Sequence, residues 1–103
     1  MHKLLVLYPK PADPDHFRDY YVTNHLPLVM EMPGLLAWRY SFDVAATKGE
    51  APYFVVFEGD FADAAALAAA RASAQGQRAA ADVVNYATGG VVVIDYPVQD
   101  GTS

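Results

Sequence analysis

His25 and Tyr21 are the residues of this chain best suited to moving a proton. They stand four apart, so on a helix the imidazole and the phenol lie one turn from each other and their rings can meet. An imidazole titrates near neutrality and serves as general acid or general base. A phenol can orient it or donate to a substrate oxygen. The same histidine has a structural role open to it. Pro27, two residues on, has no N–H, and its ring crowds the carbonyl of Thr23. His25 could cap the backbone freed there, and the two roles are compatible.

Other chemistries find less support. The chain has no cysteine, which removes disulfides, thiolate nucleophiles and Cys-based metal sites or clusters. His2, His16 and His25 have no spacing suited to a metal. There is no Gly-rich phosphate loop, no His-Glu-x-x-His, no Gly-x-Ser-x-Gly and no dinucleotide fingerprint. The expectation is a site without metal or cofactor. Arg39 alternates with aromatic residues and is expected to pair with Glu58 or Asp43, with a ligand carboxylate as the competing use. Asp82 and Asn85 are expected to bond loop backbone rather than act chemically. Tyr20 is expected to face sideways or outward.

The elements that must position His25 follow from pattern. Residues 2–8 are rich in Leu and Val and read as a strand ended by Pro9 and Pro11. Asp13-Pro14-Asp15 is a helix start: a cap, a proline at the first position and an acid facing the positive helix end. Phe17, Tyr21, His25, Leu28 and Met32 then mark one face. A kink or break is expected near His25–Leu26, with Leu26 pushed from helical angles by Pro27. A strand is predicted over 35–44, where Trp38, Tyr40 and Phe42 alternate with polar residues. A hairpin loop follows, then a strand over 52–58 with Tyr53, Val55 and Phe57 on one face, ended by Gly59. Asp60 is expected to cap a helix over 61–72. Residues 73–76 break or re-cap it, 77–86 form a second helical stretch or ordered loop, and 91–96 a last strand. Residues 99–103 read as a polar tail.

This order, βαββαβ, predicts an α+β ferredoxin-like fold, a four-stranded antiparallel sheet with the helices on one face. All of residues 1–103 are expected to form one domain. The apolar fraction is 53% and the aromatic fraction 13%, whereas charged residues make up only 18%. The usual charged share is about 25%, and a small domain has more surface to cover, not less. The surplus asks for a second copy over the open sheet face or an apolar pocket. A net charge of −5 gives no footprint for nucleic acid, and no window approaches a membrane span. With no signal peptide legible, the expected address is the cytoplasm.

Three segments carry a resemblance: Leu7-Tyr8-Pro9-Lys10-Pro11, Tyr20-Tyr21-Val22-Thr23-Asn24-His25-Leu26-Pro27-Leu28, and Met32-Pro33-Gly34-Leu35. Gln75-Gly76 and Asp82-Val83-Val84-Asn85-Tyr86 extend it through the second half, with Val84 where family members usually have Pro. Over roughly residues 3–97 the chain resembles the EthD family. The resemblance implies a homodimeric α/β barrel of ferredoxin-like subunits. Proteins of the same architecture include small monooxygenases, lactone isomerases and polyketide cyclases, so architecture does not choose a reaction.

Two functional readings follow. In the first, a cofactor-free isomerase, cyclase or monooxygenase-type oxidoreductase of catabolic or secondary metabolism binds a small apolar, oxygenated or aromatic ligand. His25 is its general acid/base and Tyr21 assists. Phe17, Leu28, Trp38, Tyr40, Phe42, Tyr53 and Phe57 supply the candidate walls. In the second, the protein is a non-catalytic dimeric ligand-binding or accessory protein of an oxygenase system. Whether the chain is an enzyme is left open by the residues alone.

Overall fold

The computed structural model describes residues 1–101. The strands are β1 (His2–Tyr8), β2 (Ala37–Ser41), β3 (Val55–Phe61) and β4 (Val92–Pro97). The first crossover holds α1 (Pro14–Tyr20), one π-helical turn (Tyr21–His25) and α2 (Leu26–Val29). The second holds α3 (Ala64–Ala72), α4 (Ala74–Asp82) and a 3₁₀ turn (Val83–Asn85). The sheet order is β2-β3-β1-β4, with every neighbouring pair antiparallel. This is the expected ferredoxin-like α+β fold. Of the expected polar tail, residues 102 and 103 lie outside the described residues. No helix among the described residues is long and apolar enough to cross a membrane.

Register assigns the two sheet faces. Leu4 pairs with Gly59 and Asp95, Val6 with Phe57 and Val93, and Tyr8 with Val55. These residues share the face under the helices, where Phe17, Tyr21, Leu26, Leu67 and Tyr86 complete the buried core. The opposite face carries Leu5, Leu7, Val56, Val92, Ile94 and Tyr96. Near Lys3 it also carries a charged group: Arg39 lies 2.9 Å and Lys3 2.8 Å from Asp60. Arg39 thus takes an ionic role, with Glu58 a more distant partner at 3.9 Å.

The first helix begins as predicted, with the Asp13 carboxylate accepting from His16 N at 3.1 Å. It does not break at Pro27. Leu26 keeps helical angles (φ −56°, ψ −39°), and its N–H donates to the Tyr21 carbonyl five residues back. The wider π turn thus carries the helix through Pro27, where an interior proline in a regular α-helix would cost roughly 3 kcal/mol. The extra residue also shifts the inward face by one position. Leu26 and Val29 are buried, while Leu28, expected inward, is only half-buried.

Other boundaries move as well, and β2 keeps only Ala37–Ser41 of the predicted 35–44. β3 starts three residues later than the expected strand and runs through Gly59 to Phe61. Gly59 lies within the strand rather than ending it, and a Cβ there would stand 3.1 and 3.2 Å from the side chains of Leu35 and Phe57. Asp60 therefore sits inside a strand, and the cap is Asp63, which accepts from Ala66 N at 2.8 Å. Ser73 re-caps the chain between α3 and α4, accepting from Gly76 N at 3.0 Å while donating to the Ala70 carbonyl.

That junction requires glycine at 76. A Cβ there would collide with the Ala70 carbonyl oxygen and stand 3.0 Å from the Arg71 Cα, all backbone atoms. Alanine would gain about 1 kcal/mol of helix propensity, but overpacking against backbone costs about 1–3 kcal/mol or more. Gly76→Ala should therefore lower stability by about 1–2 kcal/mol. An unchanged or raised denaturation midpoint would contradict this packing of α3 on α4.

Candidate functional site

The π turn that absorbs Pro27 also presents His25. Its side chain is 6% exposed, stacked on Tyr21 at 5.5 Å between centroids and 4.7 Å from the Tyr86 ring. π turns inside α-helices occur often at functional sites, because they re-aim one side chain without ending the helix.

The partner of His25 comes from the second crossover. Asp82, the last residue of α4, places Oδ2 3.0 Å from His25 Nδ1. Its Oδ1 accepts from the Tyr20 hydroxyl at 2.6 Å and from Asn85 Nδ2 at 2.9 Å. The Asp82 carboxyl is pushed up by burial, but hydrogen bonds from Tyr20, Asn85 and His25 together prevail and hold it below the ordinary value. His25 is lowered by burial, against the opposing pull of Asp82. At neutral pH the pair is thus an ionised carboxylate and a neutral imidazole. With Nδ1–H donating to the carboxylate, Nε2 carries a lone pair, and it has no hydrogen-bond partner among the described residues.

The pH dependence of stability follows. The ordinary histidine value is 6.5 and the folded value lies below it. Under pH 6.5 the unfolded chain binds a proton that folded His25 resists, so stability falls as pH drops through that window. Melting temperature should therefore decline more between pH 7.5 and 5 in the native protein than in His25→Gln. Parallel declines would remove His25 as the cause.

Three phenols close the site from below. The Tyr8 and Tyr86 hydroxyls are 2.7 Å apart. Burial pushes Tyr8 up to about 12 and raises Tyr21 and Tyr86 further still. All three stay protonated and remain hydrogen-bond donors. Beside them lies a cavity of ≈ 140 Å³ between the first crossover and α4. Leu4, Val6, Phe57 and Val93 floor it, Tyr21, His25 and Val29 form one wall, and Gly76, Ala79 and Val83 the other. Val93 is 50% exposed although it lies on the helix side of the sheet. The helices stop short of β4, and the cavity opens along that edge strand.

A family model described as the EthD domain matches residues 9–90. The chain belongs to the EthD family. It is 32% identical over 94 residues to an uncharacterised 11.0 kDa protein of the thcB–thcC intergenic region of Rhodococcus erythropolis, covering 91% of each chain. An EthD family protein from Bacillus halodurans C-125 superposes with a TM-score of 0.89 at 25% identity, over 96% of this chain and 99% of that one. A dimeric ferredoxin-like protein of unknown function from Jannaschia sp. CCS1 gives a TM-score of 0.67 at 25% identity, over 94% and 97%.

Within this EthD chain the sequence candidates divide into four groups. His25, Tyr21 and Phe57 lie at the cavity. Trp38 and Tyr40 stand one layer behind: Trp38 stacks on Phe57 at 6.2 Å, and Tyr40 meets Tyr21 edge-on at 5.9 Å. Phe17 is wholly enclosed in the core, and Leu28 packs half-buried against it. Phe42 and Tyr53 line a separate hollow of ≈ 230 Å³ with Lys10 and Glu50. That hollow is the larger, but its Arg18 guanidinium is stacked 4.9 Å over Phe42 and 5.0 Å over Phe54, and it holds no proton-transfer pair. The candidate proton-transfer pair therefore lies at the cavity beside His25.

Asp82 corrects the sequence reading most. Its carboxylate, and the Asn85 amide, bond side chains rather than loop backbone. Tyr20, expected sideways or outward, points its hydroxyl at Asp82. The signal was the Asp82-Val83-Val84-Asn85-Tyr86 segment itself, which places acid, amide and phenol within one turn at a helix end. No group of three or more metal-ligating side chains occurs among the described residues.

Proposed function

We propose that this EthD protein is a proton-transfer enzyme of the isomerase or cyclase type, acting without a cofactor on a small, largely apolar, oxygenated molecule. The observation that carries this reading is the 3.0 Å contact between His25 and Asp82 at the wall of an apolar cavity. Nε2 takes a proton from an acidic C–H or O–H of the substrate, and Asp82 stabilises the imidazolium that forms. Tyr21 at the cavity wall, held by Tyr8 and Tyr86, donates to the oxygen on which negative charge develops. Return of the proton from His25 to another atom of the same substrate completes an isomerisation with nothing gained or lost. An oxygenation in which a substrate carbanion itself meets oxygen begins with the same deprotonation, so oxygen uptake separates these chemistries.

The test is hydrogen–deuterium exchange of unsaturated lactones and aromatic ketones in D₂O, followed by proton NMR with the native protein and His25→Gln. Exchange that requires His25 supports the enzyme. Binding of these compounds with no His25-dependent exchange would leave an accessory ligand-binding protein.

The chain is also proposed to act as a homodimer. Its open sheet face exposes Val92, Ile94 and Tyr96 at 38–44% in one contiguous row, and exposed apolar strand edges invite pairing. The dimeric Jannaschia protein supports the same arrangement. Light scattering at micromolar concentration should give twice the 11.2 kDa chain mass. Ile94→Lys should shift the mass toward one chain, and a native protein already of single-chain mass would refute the pairing.

A further inference from the structure

Among the described residues Arg71 is the one cation that lines the cavity, and the proposed proton-transfer chemistry gives it no task. It stands in the last turn of α3, and its side chain is 45% exposed. Its only partner among the described residues is Asp95, and the contact is poor. Both terminal nitrogens lie 3.4 Å from the same oxygen, Oδ1, where hydrogen bonds fade. The other oxygen of Asp95 belongs to His2, at 2.6 Å. A guanidinium offers a planar fork matched to two carboxylate oxygens, and here one oxygen receives both prongs at the limit of range. The fork is unfilled.

Position adds to this. Asp95 pairs with Leu4 on β1, whereas His25 stacks on Tyr21 and Tyr86, whose rings meet Tyr8 at the other end of that strand. Arg71 and His25 therefore line different parts of the same cavity. Between them the walls are apolar, and the cavity's ≈ 140 Å³ is close to the roughly 150 Å³ that accommodates a benzene-sized guest. One end holds a base, the middle takes a single ring or its equivalent, and the far end holds a loosely tethered guanidinium.

We propose that Arg71 is a specificity residue and that the ligand of this cavity is a small ring-bearing carboxylate. Its carboxylate takes the Arg71 fork in place of Asp95, and its opposite end lies toward His25. Asp95 stays held by His2 when Arg71 turns away. This assignment rests on the reading of the cavity as a ligand site and deepens it by naming the charge the ligand carries.

The probes are phenylacetate and phenylacetamide, which differ in charge but hardly in shape. Their dissociation constants are measured by NMR titration against the native protein, Arg71→Gln and His25→Gln. A charge-assisted fork should make the native protein prefer the carboxylate by about ten- to a hundredfold. Arg71→Gln should bring the two ligands to parity at an unchanged melting temperature, because the Asp95 contact it removes is weak and exposed. His25→Gln should keep the preference. Equal binding of both probes to the native protein, binding of neither, or a preference that survives Arg71→Gln would each overturn the assignment. The deuterium-exchange result is independent. Exchange that requires His25 without a carboxylate preference removes only the Arg71 role. A carboxylate preference without such exchange removes the proton-transfer reading and keeps Arg71 as the anion site of a binding protein.

Discussion

His25→Gln should lower catalysed proton exchange by about 10²–10⁴-fold, the usual worth of a positioned general base. The fold should survive. Glutamine occupies a similar volume and carries an amide N–H that can still donate to Asp82, so no buried carboxylate is orphaned. Asp82→Asn should cost a large part of the same factor by another route. An asparagine side chain cannot stabilise the imidazolium, and it cannot accept from Tyr20, Asn85 and His25 as a carboxylate does. Residues that act as a unit fail together, so the double variant should be hardly worse than His25→Gln alone. Exchange rates for the two single variants and the double variant, with melting temperatures beside them, decide the point. Losses that multiply would show two independent roles. Variants that unfold would show a structural histidine, because exchange and melting would then fall together.

Tyr20→Phe provides the graded member of the series. It removes the shortest bond to Asp82, 2.6 Å, without touching His25. Its loss should be smaller than that of Asp82→Asn, and any fall in exchange at acid pH that comes from protonation of Asp82 should move to higher pH, because the Tyr20 hydrogen bond holds that carboxyl down. The order His25, Asp82, Tyr20 is what the geometry dictates, since each is one bond further from the cavity.

How much of this was legible in the residues depends on the range of the interaction. The helix start at Asp13-Pro14, the alternation of the strands and the βαββαβ order are local signals, and they fixed the fold class and brought Tyr21 and His25 together. The π turn was not legible. A proline in a helical pattern signals a break, and whether the chain breaks or widens depends on packing of Tyr21 and Leu26 against the sheet. The boundary at Asp60 failed for a related reason. Asp60 and Asp63 both have capping chemistry, and the first is held in the sheet by ladder pairing and by the cross-strand cations Lys3 and Arg39. Asp82 escaped because its partners lie 57 and 62 residues away. An acid near a helix end carries no mark of that distance, and local Asx bonding is the cheaper guess. Arg71 reads as an ordinary basic residue at a helix C-terminus until the cavity beside it is seen.

Phe17→Ala should destabilise the protein by about 3–5 kcal/mol, the range for emptying a large aromatic side chain from a core. Phe17 was a candidate ligand wall, but no part of it is exposed. Its ring meets Tyr8 edge-on at 5.3 Å, Phe54 at 5.3 Å and Tyr86 at 4.9 Å, and it stacks on Tyr21 at 5.5 Å. It is the hub through which the first helix, β1 and the loop carrying Tyr86 are packed together. A domain of this size is stable by roughly 5–15 kcal/mol in all, so the loss takes a large share of the total. The cavity left behind adjoins Tyr21 and Tyr86, the two rings that flank His25, so the variant should also bind phenylacetate more weakly. Phe17→Leu keeps most of the volume and should cost about 1–1.5 kcal/mol, with ligand binding nearly intact. Urea denaturation at fixed protein concentration measures both, because pairing of subunits makes midpoints concentration-dependent. A Phe17→Ala loss below about 1 kcal/mol would mean that these rings do not form a packed hub. A full loss of stability with unaltered ligand affinity would separate the aromatic core from the site and assign the positioning of His25 to the π turn and Asp82 alone.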